Sequence, residues 1–198
     1  MKKKIIIGVL IFLIAFIGFN VNTIYTMVML QGEETTSFAV EGDKAVMTGV
    51  ISKQTIAKVE KLIKEHPEVK TIVMQNVPGS IDDESNLVAC RLVRAHGFNT
   101  HVPSDGMIAS GGTDFFTAGV KRTVEEGAEI GVHSWAGDGV EDASKLPNDH
   151  EEHQKYLDYY KEMKIPQDFY WFTIKAAPAS RIYNMTAKEL IEYQLVTE

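Results

Sequence analysis

The sequence predicts an α/β fold with a mostly parallel sheet, right-handed βαβ crossovers and flanking helices, preceded by an N-terminal apolar segment. Short apolar segments, typical of buried strands, alternate along the chain with segments whose apolar residues recur at helical spacing. Successive strands joined through a helix favour parallel pairing with a right-handed crossover. With 198 residues and 44% hydrophobic content, the chain has enough apolar surface for one substantial core.

The N-terminus has the pattern of a targeting segment. Three lysines at positions 2 to 4 precede an uncharged apolar run from Ile5 to Phe19, and apolar character resumes as far as Leu30. We therefore predict a signal anchor or signal peptide over residues 1–30, a linker over 31–37 and a folded domain over 38–198. The lysines are expected to stay in the cytoplasm. The domain would then be membrane-anchored and periplasmic, or secreted to the periplasm if the segment is cleaved.

The first half of the domain begins with a predicted hairpin and an amphipathic helix. Apolar and β-branched residues flank the turn at residues 41–44, and Ser52 precedes a helical pattern as a cap. Acidic residues after Ser80 favour a helix start, since they suit the helix dipole. The predicted elements are strands at Phe38–Val40, Ala45–Val50, Thr71–Met74, Phe98–Val102 and Ala128–His133, and helices at Lys53–Glu65, from Asp82, and at Ile108–Ala118.

The second half is predicted to be helical after an acidic loop. The loop follows Trp135 and reads AGDGVEDASKLPNDH. Helices are expected from about Asp149 to Met163 and from Pro166 to near Pro178. Thr186, with Glu189 three residues later, forms a capping box that begins a last short helix.

Composition excludes several classes of function. The formal net charge is −7, and the lysines at the N-terminus leave the rest of the chain still more acidic, so nucleic acid is an unexpected partner. A single cysteine, Cys90, permits no internal disulfide. The run from His150 to His153 lacks the HExxH spacing and is interpreted as a solvated helix face, so we expect no metal and no organic cofactor.

The stretch from Met107 to Trp135 carries the candidate chemistry. Ser110 stands beside Gly111 and Gly112 at the start of a helix, where a serine is well placed to attack a carbonyl group. His133 ends the strand that follows and is the candidate base. The ends of parallel strands share one edge of a sheet, so the turn at Ser80 is expected beside them. The N–H groups of Ser80 and Gly111 are the predicted donors to an oxyanion.

These motifs resemble a known family. The order of elements, the PGS turn, ASGG, TAGVKR, IGVH and the closing MTAKELIEYQLV are similar to the ClpP serine protease group of the ClpP/crotonase superfamily, from Phe38 to the C-terminus. The resemblance implies that Ser110 is the nucleophile, His133 the general base, and the N–H groups of Ser80 and Gly111 the oxyanion hole. It also implies homo-oligomers, with the helix after the acidic loop in the position of the family's inter-ring handle.

The sequence departs from the family at the third catalytic residue. The family's aspartate precedes the last helix, and the corresponding PASRIYNMT has no carboxylate. Ser180 is the predicted third member, Asn184 is an alternative, and Asp168 is a more distant one. A neutral partner would hold the histidine tautomer but would not stabilise an imidazolium as an anion does.

Four functions remain open from the sequence. The favoured one is an ATP-independent peptidase that acts outside the cytoplasm on peptides or unfolded segments. The absent aspartate favours a catalytically weak or inactive scaffold that binds peptides. A Ser/Lys enzyme of the signal-peptide-peptidase kind would use Lys161 or Lys164 as its base. An acyl-CoA reaction of the crotonase type is the least expected, because an extracytoplasmic domain rarely meets a thioester.

Overall fold

The computed structural model describes residues 35–137 and 139–197. The predicted N-terminal segment over residues 1–30 lies outside the described residues, as does most of the predicted linker. Within the described part of the chain, no helix is both long and apolar enough to cross a membrane.

The elements follow one another in the alternating order that the sequence predicts. The strands are β1 (Ser37–Glu41), β2 (Lys44–Thr48), β3 (Thr71–Val77), β4 (Asn99–Val102), β5 (Met107–Ala109), β6 (Arg122–Val124), β7 (Glu129–Val132) and β8 (Tyr183–Asn184). The α-helices are α1 (Lys53–Glu65), α2 (Asp83–His96), α3 (Gly111–Thr117), α4 (Gln154–Glu162), α5 (Gln167–Ala176) and α6 (Ala187–Glu192). Two short 3₁₀ turns, Ala143–Lys145 and Glu151–His153, lie between β7 and α4.

The described strands form one mostly parallel sheet. β1 pairs antiparallel with β2, and β2, β3, β5 and β7 then lie side by side in parallel. β3 pairs with β4 along its first residues and with β5 along its last, and β4 pairs in turn with β6. β8 closes the other side, antiparallel to β7. The prediction of an α/β fold with a mostly parallel sheet is therefore confirmed.

Several elements differ from the predictions. The predicted helix over 108–118 begins at Gly111, because Met107–Ala109 forms β5 and pairs with both β3 and β7. β6 and β8 were not predicted. These strands have two or three residues, which is too short to show an alternating pattern. Their partners in the sheet, rather than their own sequence, stabilise them.

Two residues of the predicted linker over 31–37, Thr35 and Thr36, contact the folded domain. Thr36 is fully buried, its Oγ1 donates to the Val50 carbonyl oxygen at 3.0 Å, and it lies 2.8 Å from Thr55 Oγ1. Thr35 forms a bridge with Val50. Two threonines that looked like polar linker residues thus bind the edge of the domain to α1.

The helices pack their apolar faces on the sheet. α1 begins after Ser52 and has the predicted bounds, while α2 begins after Asp82, whose carboxylate accepts from Ser85 N–H at 2.9 Å. α2 ends at Gly97, which has a positive φ of 86°. The fully buried large side chains come from the strands and residues next to them, from α3 and from the helical C-terminal region: Tyr159, Tyr170, Phe98, Phe115, Phe116, Phe169, Met47, Ile51, Ile72, Met74, Ile108 and Ile130.

Candidate active site

Three neighbouring strands end at the same edge of the sheet and bring the predicted site residues together. β5 lies between β3 and β7, with Ile108 opposite Val77 and Ala109 opposite Gly131. The chain leaves β3 into the turn with Ser80, β5 into Ser110, and β7 into His133. The sequence positions that the family resemblance singles out therefore meet at the carboxyl ends of parallel strands, where α/β proteins bind ligands.

Ser110 sits at a sharp, strained turn between β5 and α3. Its backbone angles, φ of 52° and ψ of −127°, lie in a region that residues other than glycine rarely adopt. The turn is held from both sides, because Ser110 N–H donates to the Gly131 carbonyl oxygen at 3.0 Å and Ser110 O accepts from Thr113 N–H at 2.8 Å. A serine held in this way at the first turn of a helix presents its hydroxyl group beyond the sheet edge.

The glycines around Ser110 allow a very close approach of β3 and α3. A Cβ atom at Gly111 would come within 2.6 Å of the Ser80 Cβ and 2.9 Å of Asn86 Nδ2, and one at Gly112 would overlap the Val77 carbonyl oxygen. On the other side of Ser110, a Cβ at Gly79 would lie 3.4 Å from Ser110 Cβ. The Ser80 turn and the start of α3 thus flank the Ser110 side chain at van der Waals distance.

Two backbone N–H groups at this junction are available to a ligand. In the described part of the chain, neither the N–H of Ser80 nor that of Gly111 donates to a protein acceptor, although the residues on either side of Ser80 pair with Ile51. Gly111 is the first residue of α3, where N–H groups have no partner within the helix. These are the two donors that the sequence predicts for an oxyanion.

His133 has its tautomer fixed by the backbone. Its Nδ1 lies 3.2 Å from the Ala179 carbonyl oxygen. A carbonyl oxygen only accepts, so Nδ1 carries the proton and Nε2 keeps its lone pair, as a general base requires. Burial lowers the pKa of His133 and outweighs the opposing effects of the Ala179 carbonyl and of the charges of Asp83 and Asp142. His133 is therefore neutral at physiological pH.

Ser110 and His133 line the same small cavity. Its volume is about 30 Å³, enough for a water molecule. Among the described residues, no hydrogen bond joins the Ser110 hydroxyl to the imidazole. Such contacts are commonly loose without substrate and tighten when it binds.

Two carboxylates that the sequence gave no reason to place in the site also line this cavity. Asp83, at the start of α2, accepts hydrogen bonds from Ser80 Oγ and, at 2.8 Å, from Tyr156 Oη. Asp114, in the first turn of α3, accepts from Tyr160 Oη. Burial raises the pKa of Asp114 to about 7 against the opposing hydrogen bond from Tyr160, and the charge of Asp83 raises it further. No local sequence pattern connects either aspartate with its tyrosine partner, because each pair is separated by more than 40 residues.

Aromatic side chains line one side of the cavity. They are Trp135, just after β7, Tyr156 in α4 and Tyr170 in α5. Trp135 and Tyr156 stack with ring centroids 5.4 Å apart, and Tyr156 and Tyr170 stack at 5.6 Å. Trp135 Nε1–H donates to Tyr170 Oη at 3.0 Å. Tyr170 of α5 therefore belongs to the site, because it lines the cavity together with Trp135 and Tyr156.

The other residues that the sequence suggests, as a partner of His133 or as a lysine base, do not line this cavity. The atom that accepts from His133 Nδ1 is the carbonyl oxygen of Ala179, and the side chain of the next residue, Ser180, is exposed. Asp168 and Asn184, the alternatives, are exposed as well. The lysines of the Ser/Lys hypothesis, Lys161 and Lys164, are exposed and do not line the cavity. The sequence could not have predicted that a backbone carbonyl oxygen orients His133, because every residue has one.

The run from His150 to His153 is not the solvated helix face that the sequence predicts, because His153 is buried and both histidines have protein partners. His153 Nε2 lies 3.1 Å from the Pro147 carbonyl oxygen, and its Nδ1 faces Tyr170 Oη. Among residues 35–137 and 139–197, no group of three or more His, Cys, Asp or Glu side chains is arranged to hold a metal ion.

The comparisons with known proteins concern the fold of this chain. No protein-family model and no curated protein matches the sequence. Among solved structures, the chain is similar to an enoyl-CoA hydratase from Polaromonas sp. JS666, with a TM-score of 0.51 and 12% sequence identity over 82% of this chain and 69% of that one. A likeness at this identity concerns the fold alone. The class that it defines is the α/β fold shared by crotonase-type and ClpP-type proteins.

Proposed function

We propose that this protein is a serine hydrolase that forms an acyl-enzyme at Ser110 with His133 as its general base. The observation that carries the proposal is the pairing of a strained serine turn at the end of β5 with a neutral histidine at the end of β7, both lining one cavity. Two unpaired backbone N–H groups beside the serine support it further.

The chemistry follows from these groups. Ser110 Oγ attacks the carbonyl carbon of an ester or amide while its proton passes to His133 Nε2. The negative charge that develops on the carbonyl oxygen is stabilised by the N–H groups of Ser80 and Gly111. Collapse of this intermediate breaks the bond to the leaving group, which takes the proton from His133. Water then attacks the acyl-serine by the same route and regenerates Ser110.

The resemblance to ClpP-type proteases favours peptides or unfolded protein segments as substrates and a homo-oligomer as the working form. The apolar N-terminus favours attachment to the membrane, with the hydrolase domain on the periplasmic side. Energy-independent action is expected there, because a cytoplasmic ATPase would have no access. Each of these assignments belongs to the proposal and is tested apart from the chemistry at Ser110.

Labelling with a fluorophosphonate probe tests the nucleophile directly. The wild-type protein is expected to gain the mass of one phosphonyl group on the peptide that contains Ser110, and Ser110→Ala is expected to gain none. Ser104→Ala is the matched control, since Ser104 is an exposed serine six residues away. Equal labelling of the wild type and Ser110→Ala would contradict the proposal. A wild type that is not labelled at all would favour the peptide-binding scaffold.

Replacement of the base separates the dyad from a Ser/Lys enzyme. His133→Ala is expected to slow labelling about 10²- to 10⁴-fold, the usual contribution of a general base. Lys161→Ala and Lys164→Ala are expected to be labelled at the wild-type rate. A His133→Ala variant that reacts normally, together with a lysine variant that does not, would support the Ser/Lys enzyme instead.

Asp114 favours a second candidate function. A carboxyl group with a pKa of about 7 suits general acid–base catalysis at neutral pH, and Asp114 lines the same cavity as Ser110 and His133. The structural neighbour is named as an enoyl-CoA hydratase. A reaction of an acyl thioester without a covalent intermediate would then require Asp114 and tolerate Ser110→Ala. Turnover of short enoyl thioesters by Ser110→Ala, lost in Asp114→Asn, would favour this function over the hydrolase.

A further inference from the structure

Asp142 is a buried carboxylate close to His133 that the mechanism above does not use. Its side chain lies in the segment between β7 and α4, and the residue is only 7% exposed. It caps the 3₁₀ turn at Ala143–Lys145 by accepting from Ser144 N–H at 3.0 Å and from Ser144 Oγ at 2.6 Å. The same Ser144 N–H lies 3.0 Å from Ser134 Oγ, next to His133 in the chain.

The contact that matters is to Ala179. Asp142 Oδ2 accepts from Ala179 N–H at 3.4 Å, and the carbonyl oxygen of the same residue accepts from His133 Nδ1 at 3.2 Å. The two bonds lie on either side of the Ala179 Cα. A second pair of backbone bonds, Ser134 N–H to the Ala177 carbonyl oxygen at 2.9 Å and Ala143 N–H to that of Trp135 at 3.0 Å, ties these three segments together.

Asp142 remains charged in this position. Burial works to raise its pKa, but hydrogen bonds from Ser134, from Ser144 and from Ala179 N–H outweigh burial, so the pKa is lowered. A buried carboxylate that several donors satisfy keeps its negative charge at neutral pH. That charge favours the protonated form of His133.

We propose that Asp142 is the positioning residue of His133, acting through Ala179 and through its negative charge. In the family pattern a carboxylate touches the imidazole directly; here the Ala179 backbone makes that contact and the carboxylate stands one residue behind it. The Ala179 carbonyl oxygen fixes the tautomer of His133. Asp142 holds Ala179 in place, and its charge stabilises the imidazolium that forms during acyl transfer. This inference rests on the proposed function only for its consequence in catalysis.

Several carboxylates lie around His133, and a test of Asp142 must leave the others unchanged. Asp142 lies on the Nδ1 side, and Asp83 and Asp114 line the cavity with His133. Asp83 also favours the protonated imidazole. The change must therefore be confined to Asp142, and Asp142→Asn removes the charge while keeping an oxygen that accepts hydrogen bonds. Glu141→Gln is the matched control, because it removes a negative charge from the exposed neighbouring residue.

The experiment is an NMR titration of the His133 imidazole in the full chain, without substrate. We expect the His133 pKa to fall in Asp142→Asn, to stay at the wild-type value in Glu141→Gln, and to return towards it in Asp142→Glu. An unchanged pKa in Asp142→Asn would overturn the proposal. An equal shift in Asp142→Asn and Asp142→Glu would overturn it too, because it would show a packing effect rather than one of charge.

If Asp142→Asn does not fold, the comparison of Asp142→Glu with Ser144→Ala decides whether the proposal holds. Ser144→Ala keeps the charge and is expected to titrate like the wild type if the proposal holds, whereas a large fall of the His133 pKa there would contradict it.

The pH profile of fluorophosphonate labelling gives the catalytic consequence. In Asp142→Asn the acidic limb is expected to move to lower pH together with the His133 pKa, and the plateau rate to fall about tenfold, less than the ~10⁴-fold loss that follows when the tautomer itself is wrong. A lower plateau with an unmoved limb would contradict the proposal. A wild type that resists labelling while the NMR shift is present would sink the hydrolase function but leave the positioning of His133 by Asp142 intact.

Discussion

At the scale of single residues, the site is built from polar groups whose ionisation is set by burial and by a few partners. Asp142 keeps a low pKa because several donors reach it, whereas burial raises the pKa of Asp114 to about 7 against one tyrosine hydroxyl. His133 is kept neutral by burial. At neutral pH Asp142 is therefore charged, His133 is neutral and Asp114 is close to its pKa, and such a cluster of perturbed pKa values is typical of functional sites.

The raised pKa of Asp114 predicts a pH-dependent cost to stability. Between the ordinary value of 3.8 and about 7, the folded protein holds a proton that the unfolded chain has released. The contribution of Asp114 to the free energy of unfolding is therefore complete below this window, falls as the pH rises through it and is lost above it. Asp114→Asn keeps an acceptor for Tyr160 Oη but no longer ionises. We expect it to melt a few degrees above the wild type at pH 8 and at the wild-type temperature at pH 4.

Thermal denaturation at a series of pH values checks this expectation, with Asp105→Asn as the control. Asp105 is exposed and does not line the cavity, so Asp105→Asn controls for the removal of one carboxylate from the chain. Parallel melting curves for the wild type and Asp114→Asn from pH 4 to 8 would show that the Asp114 carboxyl group titrates normally.

At the scale of elements, the turn from β5 into α3 is the part of the fold that creates the site. It combines a strained serine, two glycines that touch the β3 turn, and the free N–H groups of a helix start. The turn is held by β7 through Ser110 N–H and by Thr113 Oγ1, which donates to the Gly131 carbonyl oxygen at 2.7 Å. Such strain persists only where the surrounding structure holds it in place.

Gly111→Ala is expected to disrupt this turn. The added methyl group would overlap the Ser80 side chain and Asn86 Nδ2, so β3 and α3 would move apart and the two N–H donors with them. Overpacking of this kind costs about 1 to 3 kcal/mol of stability. Misplacing oxyanion donors costs about 10²- to 10³-fold in rate. Labelling of Ser110 by a fluorophosphonate and urea denaturation measure the two effects.

Gly137→Ala serves as the control for that change, since a Cβ atom at Gly137 meets no other atom within 4 Å. It is expected to resemble the wild type in both measurements. If Gly111→Ala reacted at the wild-type rate, the Gly111 N–H would not be an oxyanion donor.

The elements also show how far the sequence predicts the fold. The bounds of α1 and the capping box at Thr186 follow from local patterns and are confirmed, because apolar spacing and caps act within a few residues. β5 includes Ile108 and Ala109, which were predicted to begin a helix. Its three residues are apolar in either state, and only pairing with β3 and β7 makes them a strand. β8 depends in the same way on β7.

At the scale of the whole molecule, Arg122 binds the C-terminal residues to the sheet. Its guanidinium donates to the carbonyl oxygens of Leu195 at 2.7 Å, Gln194 at 2.9 Å and Gly119 at 3.0 Å. Thr197 N–H donates to the Arg122 carbonyl oxygen at 3.0 Å, alongside β6. Residues 194–197 therefore bind the first residue of β6 through its backbone and its side chain.

Arg122→Lys is expected to loosen this end of the chain. A lysine makes only part of the fixed fork of hydrogen bonds, and a lost bond to a charged group costs about 1.5 to 3 kcal/mol. Urea denaturation is expected to show that loss, and amide hydrogen exchange at Leu195 and Thr197 should rise more than exchange in α1. Arg181→Lys, at an exposed arginine, is the control. Uniform exchange throughout the molecule would mean that Arg122 does not hold the C-terminus in particular.

The sequence by itself determined the alternation of strands and helices and the positions of Ser110, His133 and the Ser80 turn, because apolar periodicity, glycine turns and strand ends are local signals. The tertiary structure decided what surrounds them. It brought Asp83, Asp114 and their tyrosines into the cavity, and it supplied the Ala179 carbonyl and Asp142 on the Nδ1 side of His133, where the sequence pointed to Ser180. These contacts join residues far apart in the chain, and one of them is a backbone oxygen that every residue carries.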